Sequence, residues 1–294
     1  MNKTIRIGAK GNTLGLRQAE FVASLIQPSG YLTEIISFEA PESGKNEFKK
    51  NLETNLLNGS IDIAVHHAKD LPADLHEELE LVAFTERELP NDVLISHNKN
   101  INLQRSIKIG TSSIRRTAFL KHFYSVVRPI FASGDLHTQI KKMEAGEYDA
   151  LLVAYADVHQ LGYDHLIVEK IETSYFVPAV GQGSIVVECH KKLAFDKKEV
   201  IQRWVNHEET EDCVRTERAF SKTLNRGYNI PIFGYAQYEG NLITLKAGII
   251  SLDGKQVVKT KRSSTVAESK ELGKKVAHEV LQNGGDKILQ EIHA

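Results

Sequence analysis

The stretch KIGTSSIRRTAFLKHF, residues 108–123, decides the fold class. It predicts a short strand, Ser106 to Gly110, followed after three hydroxyl residues by a helix, Ile114 to Phe123. β-Branched runs and helical patterns keep alternating through about residue 200, which is typical of βα units around largely parallel sheets. The sequence therefore predicts an α/β fold over its first two thirds.

Further elements of the same kind lie on both sides of this stretch. They are the strands Thr4–Ala9, Ile61–His66, Asp92–Ser96, Val127–Ala132 and Asp149–Ala154 and the helix Leu16–Ile26. The polar segment Glu88 to Asn100 and the segment Val177 to Gly183 suit two crossings between lobes. Strand Ser184–Cys189 and helix Asp196–Asn206 would then return to the first lobe, and two such connections make a hinged pair.

The pattern changes after residue 208. A helix, Thr210 to Leu224, precedes strands between Ile232 and Thr260, which are joined by turn signals at Glu239-Gly240-Asn241 and Asp253-Gly254. This order predicts a small α+β domain. We expect lobe 1 to comprise residues 1–88 and 184–206, lobe 2 residues 89–183, and the C-terminal domain residues 207–294.

The composition excludes several classes of protein. A chain of 294 residues with 41% hydrophobic and 26% charged residues has the balance of a globular protein with two or three domains. The net charge of −1, without an Arg/Lys-dense block, argues against a nucleic-acid partner. The start MNKTIRIGAKG has no apolar signal core, and the apolar stretch Ala150–Ala156 is too short for a membrane span. We therefore expect a cytoplasmic protein without a membrane partner.

The two cysteines, Cys189 and Cys213, lack the spacing of a structural metal site. The sequence therefore predicts no metal site. It predicts no disulfide either. Adjacent His66 and His67 would point to opposite faces of a strand, which makes them a poor metal pair.

Four segments could carry chemistry. In KIGTSSIRR, Thr111 to Ser113 lie between strand and helix, where amides, hydroxyls and the helix dipole favour an anion; the alternative is an ordinary N-cap. In DIAVHHAKDLP, Lys69 and Asp70 follow a strand, where a carboxylate could stabilise a cation or move protons; the alternative is a surface turn. PESGKNEF (41–48) and PAVGQG (178–183) could be a flap and a ligand-contacting loop, or simple connections.

Taken in order, six motifs make the whole chain resemble the hydroxymethylbilane synthase (porphobilinogen deaminase) family. They are IRIGAKGNTLGLRQA (5–19), DIAVHHAKDLP (62–72), KIGTSSIRR (108–116), GEYDALLVAYADVHQLG (146–162), FVPAVGQGSIVVEC (176–189) and ERAFSKTLNRGYNIPIFGYA (217–236). The resemblance implies two lobes like those of type II periplasmic binding proteins with a cleft between them. It also implies a third domain that carries a dipyrromethane cofactor on a loop, and a monomer.

The resemblance further implies a reaction. Porphobilinogen loses ammonia, and the free α-carbon of a growing pyrrole chain attacks the resulting azafulvene, four times in succession, before water releases hydroxymethylbilane. Asp70 would stabilise the positive pyrrole intermediates and manage their protons, with Lys69 beside it. The partner is then a small anionic pyrrole-type substrate.

The resemblance assigns the substrate-binding groups by motif position. They are Lys10, Asn12, Lys45, His67, Thr111, Ser112, Ser113, Arg115, Arg116, Ser133, Gln139 and Gln182. Among these, Arg115 and Arg116 suit carboxylates because guanidinium forks match them, and Lys45 would lie on a flap over the cleft. Each pyrrole brings two carboxylates, and so the cleft should be rich in fixed donors.

Several positions depart from the family pattern. The departures are Lys10 for arginine, Asn12 and His67 for serines, Ser133 and Gln139 for arginines, Asp135 for asparagine and Cys213 for arginine. At least three positive charges are therefore missing from places where the family holds pyrrole carboxylates.

The cofactor loop carries the sharpest departure, because it reads GYNIP and puts Tyr228 in the place of the family cysteine. A thiol with a pKa of about 8.5 is a good nucleophile, whereas a phenol with a pKa of about 10 is mostly protonated. A thioether-linked dipyrromethane cannot form at Tyr228. We expect the cofactor to be absent or bound differently.

Three functions stay open at this point. The chain could be a working deaminase primed without a thioether, a diverged enzyme acting on another pyrrole-like or aminomethyl substrate, or a non-catalytic protein that binds a small ligand. The retained Lys69–Asp70 pair, TSSIRR (111–116) and PAVGQG (178–183) argue for a functioning anionic-ligand cleft over a degenerate one. The missing cysteine and arginines argue against ordinary tetrapolymerisation.

Overall fold

The computed structural model describes residues 3–39, 45–224 and 230–293, with side chains over 3–39, 50–224 and 230–292. The chain divides into two compact units, Met1–Arg87 with Ser184–Glu211, and Glu88–Gly183 with Asp212–Ala294. The three-domain division expected from the sequence stays a prediction.

The strands and helices of the described residues follow in chain order. The strands are β1 (Thr4–Lys10), β2 (Leu32–Phe38), β3 (Ile63–His67), β4 (Leu79–Phe84), β5 (Asp92–Ile95), β6 (Lys108–Thr111), β7 (Arg128–Phe131), β8 (Ala150–Ala154), β9 (Ile167–Lys170), β10 (Ile185–His190), β11 (Ile232–Glu239), β12 (Leu242–Ile250) and β13 (Val257–Thr265). The helices are α1 (Thr13–Ile26), α2 (Lys45–Leu57), α3 (Ile114–Phe123), α4 (Leu136–Glu144), α5 (Tyr155–Gln160), α6 (Phe195–Val205), α7 (Glu208–Leu224), α8 (Ser269–Val280) and α9 (Asp286–His293).

The first unit is built on a five-stranded sheet of order β2-β1-β3-β10-β4. Strands β1, β2 and β3 run parallel, and β10 is antiparallel to both of its neighbours. Apolar side chains from α1, α6 and one face of the sheet form a core around Ile7, Val22, Val187 and Ile201. A smaller core beneath α2 includes Leu52 and Leu56.

The second unit repeats this topology in a five-stranded sheet of order β7-β6-β8-β5-β9. Strands β6, β7 and β8 are parallel, and β5 is inserted antiparallel between β8 and β9. In each sheet one strand is inserted antiparallel, and the other four can be numbered in chain order. Both sheets then have the same order, which is second, first, third, inserted and fourth strand. This confirms the prediction of two α/β lobes of the periplasmic-binding-protein type.

The remaining sheet, β11-β12-β13, is an antiparallel meander that packs against α7 and α8. Its turns fall at Gly240 and Gly254, both with positive φ, which glycine adopts without steric cost. The predicted small α+β part is confirmed. In the described part of the chain, no helix is both long and apolar enough to cross a membrane.

Candidate functional site

The carboxyl ends of β1, β2 and β3 lie at one edge of the first sheet, the edge where α/β proteins place ligands. The amide of Gly11 donates to Phe38 O at 2.8 Å and so joins the ends of β1 and β2. Asn12 caps α1, because its Oδ1 accepts a hydrogen bond from the Gly15 amide at 2.9 Å. Lys10 and Asn12 therefore lie at this edge. The side chain of Lys45 lies outside the described residues.

Lys69 and Asp70 follow β3 at the same edge, in a single 3₁₀ turn from Ala68 to Asp70. The Ala68 amide donates to Ser184 O at 2.9 Å, which fixes the turn to the segment before β10. Asp70 is exposed and Lys69 is half-buried. The turn thus presents Asp70 to solvent, with Lys69 next to it in the chain.

His66 and His67 point to opposite faces of β3, as the alternation of a strand predicts. His67 is buried, whereas His66 Nε2 lies 3.0 Å from the Glu188 carboxylate on β10. Glu188 is fully buried, and its Oε1 accepts no hydrogen bond from the described residues. His66 is therefore engaged in an internal pair. No group of metal-ligating side chains occurs in the described part of the chain.

The second unit presents an equivalent edge at the carboxyl ends of β6, β7 and β8. Ser113 caps α3, with its Oγ accepting from the Arg116 amide at 3.4 Å, and Thr111 Oγ1 accepts from the Ser113 amide at 3.3 Å. The amide of Ala132 donates to Thr111 O at 3.2 Å. The segment Thr111 to Ser113 is consequently next to the residues that follow β7.

Those residues lead into a second helix N-terminus. Asp135 caps α4 by accepting from the Thr138 amide at 2.8 Å. Gln139 is buried, and its amide nitrogen donates to Ala132 O at 3.2 Å and to Gly134 O at 2.9 Å. Gln139 thus secures the turn before α4.

Lys142 is a cation at this edge that the sequence did not reveal. Its Nζ donates to Ser133 Oγ at 2.8 Å. The ammonium therefore lies beside a predicted binding residue, in the segment that leads into α4. The sequence feature that could have identified Lys142 is its position three residues after Gln139, which places both residues on one face of the helix.

Arg115 and Arg116 lie in a buried network around Asp92. Arg115 Nη2 donates to Asp92 Oδ2 at 2.6 Å, and Arg116 Nε donates to Asp92 Oδ1 at 2.7 Å. Gln182 joins them, since its amide nitrogen donates to Pro90 O at 2.6 Å and to Asp92 Oδ1 at 3.1 Å. The side chains of the two arginines are 4% and 9% exposed, and that of Asp92 is fully buried.

The charges of this network decide what the arginines can do. Burial alone would raise the pKa of the Asp92 carboxyl, but the charges of Arg115 and Arg116 outweigh burial and hold that pKa below its usual value. Asp92 thus stays ionised and neutralises one of the two guanidinium charges. The network therefore keeps one net positive charge, which could attract a substrate carboxylate. Carboxylate binding by Arg115 and Arg116 stays a prediction.

Glu88 begins the second unit and lies in an acidic environment. Its Oε1 accepts from Gln160 Nε2 at 2.8 Å, and its Oε2 is buried without a hydrogen-bond partner among the described residues. Burial, together with the negative charges of Asp157 and Asp164, raises the pKa of Glu88.

Glu88→Gln should make the protein more stable at alkaline pH. A carboxyl with a raised folded pKa contributes stability below its unfolded pKa, and this stability is lost as the pH rises through the folded pKa. Variant and wild type should therefore unfold alike near pH 4, and the variant should melt higher by roughly 2 °C at pH 8. Differential scanning calorimetry from pH 4 to 8 measures this, with exposed Glu86→Gln as the matched control. A pH-independent difference would contradict it.

Neither cysteine fits a thioether to dipyrromethane. Cys189 is fully buried in β10, and burial raises the pKa of its thiol to about 12. Cys213 is 5% exposed and packs in the core between α7 and the third sheet. Tyr228 lies outside the described residues. With these two cysteines as its only thiols, the chain offers no accessible nucleophilic sulfur for such an attachment.

Two other buried carboxylates were not found from the sequence. Glu217 accepts from the Gly181 amide at 2.6 Å and from the Ala236 amide at 2.8 Å, and so joins α7 to the segment 178–183 and to β11. Glu188 lies in the apolar run VVEC, and Glu217 lies in an amphipathic helix. A charged residue in apolar surroundings is the sequence signal that could have identified both as buried carboxylates.

The repeated topology and the ligand-type side chains after the parallel strands define the class of a periplasmic-binding-protein-like α/β protein with a C-terminal α+β part. Two family models match in sequence order. "Porphobilinogen deaminase, dipyromethane cofactor binding domain" covers residues 5–198, and "Porphobilinogen deaminase, C-terminal domain" covers residues 212–282. The chain belongs to the porphobilinogen deaminase family.

Curated relatives match over the whole length. The porphobilinogen deaminase of Desulfosudis oleivorans is 41% identical over 302 residues, covering 98% of this chain and 97% of the relative. That of Cytophaga hutchinsonii is 41% identical over 305 residues, covering 99% and 98%. That of Carboxydothermus hydrogenoformans is 38% identical over 307 residues, covering 99% and 98%.

Solved structures give a more distant likeness. A TRAP periplasmic solute binding protein from Desulfovibrio salexigens has a TM-score of 0.45 at 12% identity and covers 72% of this chain and 74% of its own. The methionine binding protein MetQ has a TM-score of 0.47 at 11% identity and covers 74% and 96%.

Proposed function

We propose that this chain is a hydroxymethylbilane synthase-like transferase of tetrapyrrole biosynthesis that deaminates and condenses porphobilinogen or a closely related pyrrole. The observation that carries the proposal is the exposed Asp70 carboxylate, fixed beside Lys69 at the carboxyl edge of β3 in a chain that matches the family from end to end.

Asp70 can serve both halves of such a reaction. When the aminomethyl carbon–nitrogen bond breaks, ammonia leaves with the bonding electron pair and the pyrrole becomes cationic, so that a nearby carboxylate stabilises it. When the α-carbon of a second pyrrole attacks, a carbon–carbon bond forms and that carbon must lose its proton, which Asp70 can accept.

The carboxylates of the substrate need cations and donors, and the edge of the second sheet offers them. Thr111, Ser112 and Ser113 lie at the N-terminus of α3, and Lys142 lies beside Ser133. Backbone amides at helix N-termini and one ammonium together suit one carboxylate. We therefore propose Lys142 as the cation that serves where Ser133 and Gln139 carry no charge.

Lys142→Ala is expected to raise KM for porphobilinogen by about tenfold, because a charge-assisted hydrogen bond to the substrate is lost. The kcat should change less, since the lysine is assigned to a carboxylate and not to the reacting atoms. Lys141→Ala removes an exposed lysine from the same helix and is the matched control. Equal KM values for the two variants would remove Lys142 from the site.

A second candidate function is an enzyme for a less acidic pyrrole-like or aminomethyl substrate. Two features favour it: Gln139 is bonded to backbone carbonyls, and Asp92 neutralises one of the two arginine charges. A less acidic substrate would need fewer cations than porphobilinogen does.

The proposal is tested by incubating purified protein with porphobilinogen. The expected result is consumption of porphobilinogen and formation of porphyrin after oxidation, and the intact mass of the protein shows whether a pyrrole adduct accompanies turnover. A clean apo mass without porphyrin would overturn the proposal. Turnover of a less acidic aminomethylpyrrole would then identify the second function, and thermal stabilisation by pyrroles without turnover would indicate a binding protein.

Tyr228→Cys separates the loss of the thiol from the loss of the arginines. Restoring the thiol should restore a dipyrromethane adduct, seen as a mass increase, provided that the site still accepts porphobilinogen. Failure to gain mass would point to the uncharged positions Ser133 and Gln139.

The partners and location expected from the sequence stay predictions. These are a small anionic pyrrole-type substrate, a monomeric state, a cytoplasmic location, and neither nucleic acid nor membrane as a partner. Size-exclusion chromatography with light scattering tests the monomeric state.

A further inference from the structure

We propose that the second unit contains a separate site for a planar aromatic carboxylate, in a cavity between the C-terminal half of α3 and strands β11 and β13. The cavity has a volume of about 330 Å³. It is lined by Phe119, His122, Phe123, Tyr175, Phe233, Lys255, Val257 and Lys259. Asp70 and the residues of the edge of the second sheet are absent from this lining.

The walls of the cavity are aromatic. Phe119 and Phe233 are buried, with ring centroids 5.0 Å apart, and Phe123 lies 5.7 Å from Phe119. Tyr175 meets Phe123 edge to face at 5.1 Å and 79°. Phe119 and Phe233 are closed off from solvent, so that a further ring would contact Phe123 and Tyr175, with the offset or edge-to-face geometry that aromatic rings prefer.

Phe123 shows that this aromatic wall is open to a ligand. It is 36% exposed, although it sits against Phe119 and Tyr175 in a set of otherwise buried or half-buried rings. A planar ligand that covered Phe123 would remove apolar surface from water, which is favourable in proportion to the area buried.

The rim of the cavity is positively charged. Lys255 and Lys259 are the exposed cationic residues of the lining, and Lys255 Nζ lies 3.3 Å from Asp253 Oδ2. The ammonium groups of Lys255 and Lys259, of which that of Lys255 is paired with Asp253, favour an anion at this rim.

The size of the cavity narrows the class of ligand. A volume of about 330 Å³ lies at the small end of ligand pockets, which span roughly 300–1,000 Å³. One ring system fits there, whereas a chain of several pyrroles would not. Aromatic walls and a cationic rim together select a flat ring that bears a carboxylate at one end.

His122 adds a directional contact. Its Nδ1 lies 2.7 Å from Gly254 O, which fixes the ring and assigns the proton to Nδ1 when the imidazole is neutral. Nε2 of His122, a residue of the cavity lining, is then an acceptor. A ligand with a ring N–H or hydroxyl group could donate to it.

The test uses 2-naphthoate as the probe and 2-naphthol as its uncharged analogue, with full-length protein and isothermal titration calorimetry. We expect saturable binding of one 2-naphthoate, and Lys259→Met should weaken it by about tenfold, the loss expected for one charge-assisted hydrogen bond. Lys261→Met is the matched control, because Lys261 lies on the same strand, pairs with Glu239 at 3.0 Å and does not line the cavity. It should change affinity less than twofold.

Two further arms locate the probe. Phe123→Ser should weaken 2-naphthoate binding, whereas Lys142→Ala should leave it unchanged, since Lys142 belongs to the other proposed site. Equal affinity of Lys259→Met and wild type, equal binding of 2-naphthol and 2-naphthoate, or a loss confined to Lys142→Ala would overturn the proposal. Far-ultraviolet circular dichroism of each variant excludes unfolding as the cause of a lost signal.

Discussion

Replacing Asp92 with asparagine is expected to lower the free energy of unfolding by about 3–5 kcal/mol, the range found when one partner of a buried ion pair is removed. Asp92 is fully buried and accepts hydrogen bonds from Arg115, Arg116 and Gln182. The neutral amide would leave two buried guanidinium charges without a counter-ion. Urea unfolding followed by circular dichroism measures the loss.

The pH dependence of this loss is a second readout. A carboxyl with a depressed folded pKa contributes stability above its unfolded pKa, and this stability is lost as the pH falls through the folded pKa. The difference between Asp92→Asn and wild type should therefore shrink in acid. Glu271→Gln, which removes an exposed partner of Lys274, is the control and should have no measurable effect. A similar, small loss for both variants would mean that the network does not stabilise the fold.

Asp70→Asn should abolish most turnover while leaving the fold and ligand binding intact. Loss of a positioned acid–base group costs roughly 10²–10⁴-fold in rate, and loss of charge stabilisation adds to it. Asp70 is exposed at the end of a turn fixed by backbone hydrogen bonds, so that its substitution should cost little stability. Steady-state consumption of porphobilinogen, or of whichever aminomethylpyrrole is turned over, measures the effect.

Asp74→Asn is the control for this experiment, because Asp74 is another exposed acid four residues further on. Its turnover should match the wild type, and substrate binding measured by calorimetry should be similar in all three proteins. Unchanged turnover in Asp70→Asn would show that the carboxylate has no part in the reaction.

Local pattern was sufficient to predict most elements of the fold. Helix α3 begins and ends at the predicted residues, because a Ser N-cap and an apolar period define it. Strand β2 was not predicted, since it lies at the edge of its sheet with a mixed burial pattern. The shared order of the two sheets could not be read from the sequence either, because strand order depends on contacts between distant residues.

The candidate site was predictable where side chains follow strands. Asp70, Asn12 and Thr111 lie at the carboxyl edges that the βα pattern implies. The surroundings of Arg115 were not predictable, because its counter-ion Asp92 lies on an inserted strand more than twenty residues away. A buried ion pair between residues far apart in the chain produces no periodic pattern in the sequence from which it could be predicted.

The position of β10 between β3 and β4 affects the order in which the two sheets can form while the chain is being synthesised. β4 is bonded to its sheet through β10 alone, and Ile185 is made 101 residues after Phe84 (185 − 84). At roughly 5–20 residues per second, the ribosome needs about 5–20 s to supply it. Strands β5 to β9 emerge during that interval, and so the second sheet can close before the first is complete. The nascent N-terminal segment is then the part most in need of a chaperone.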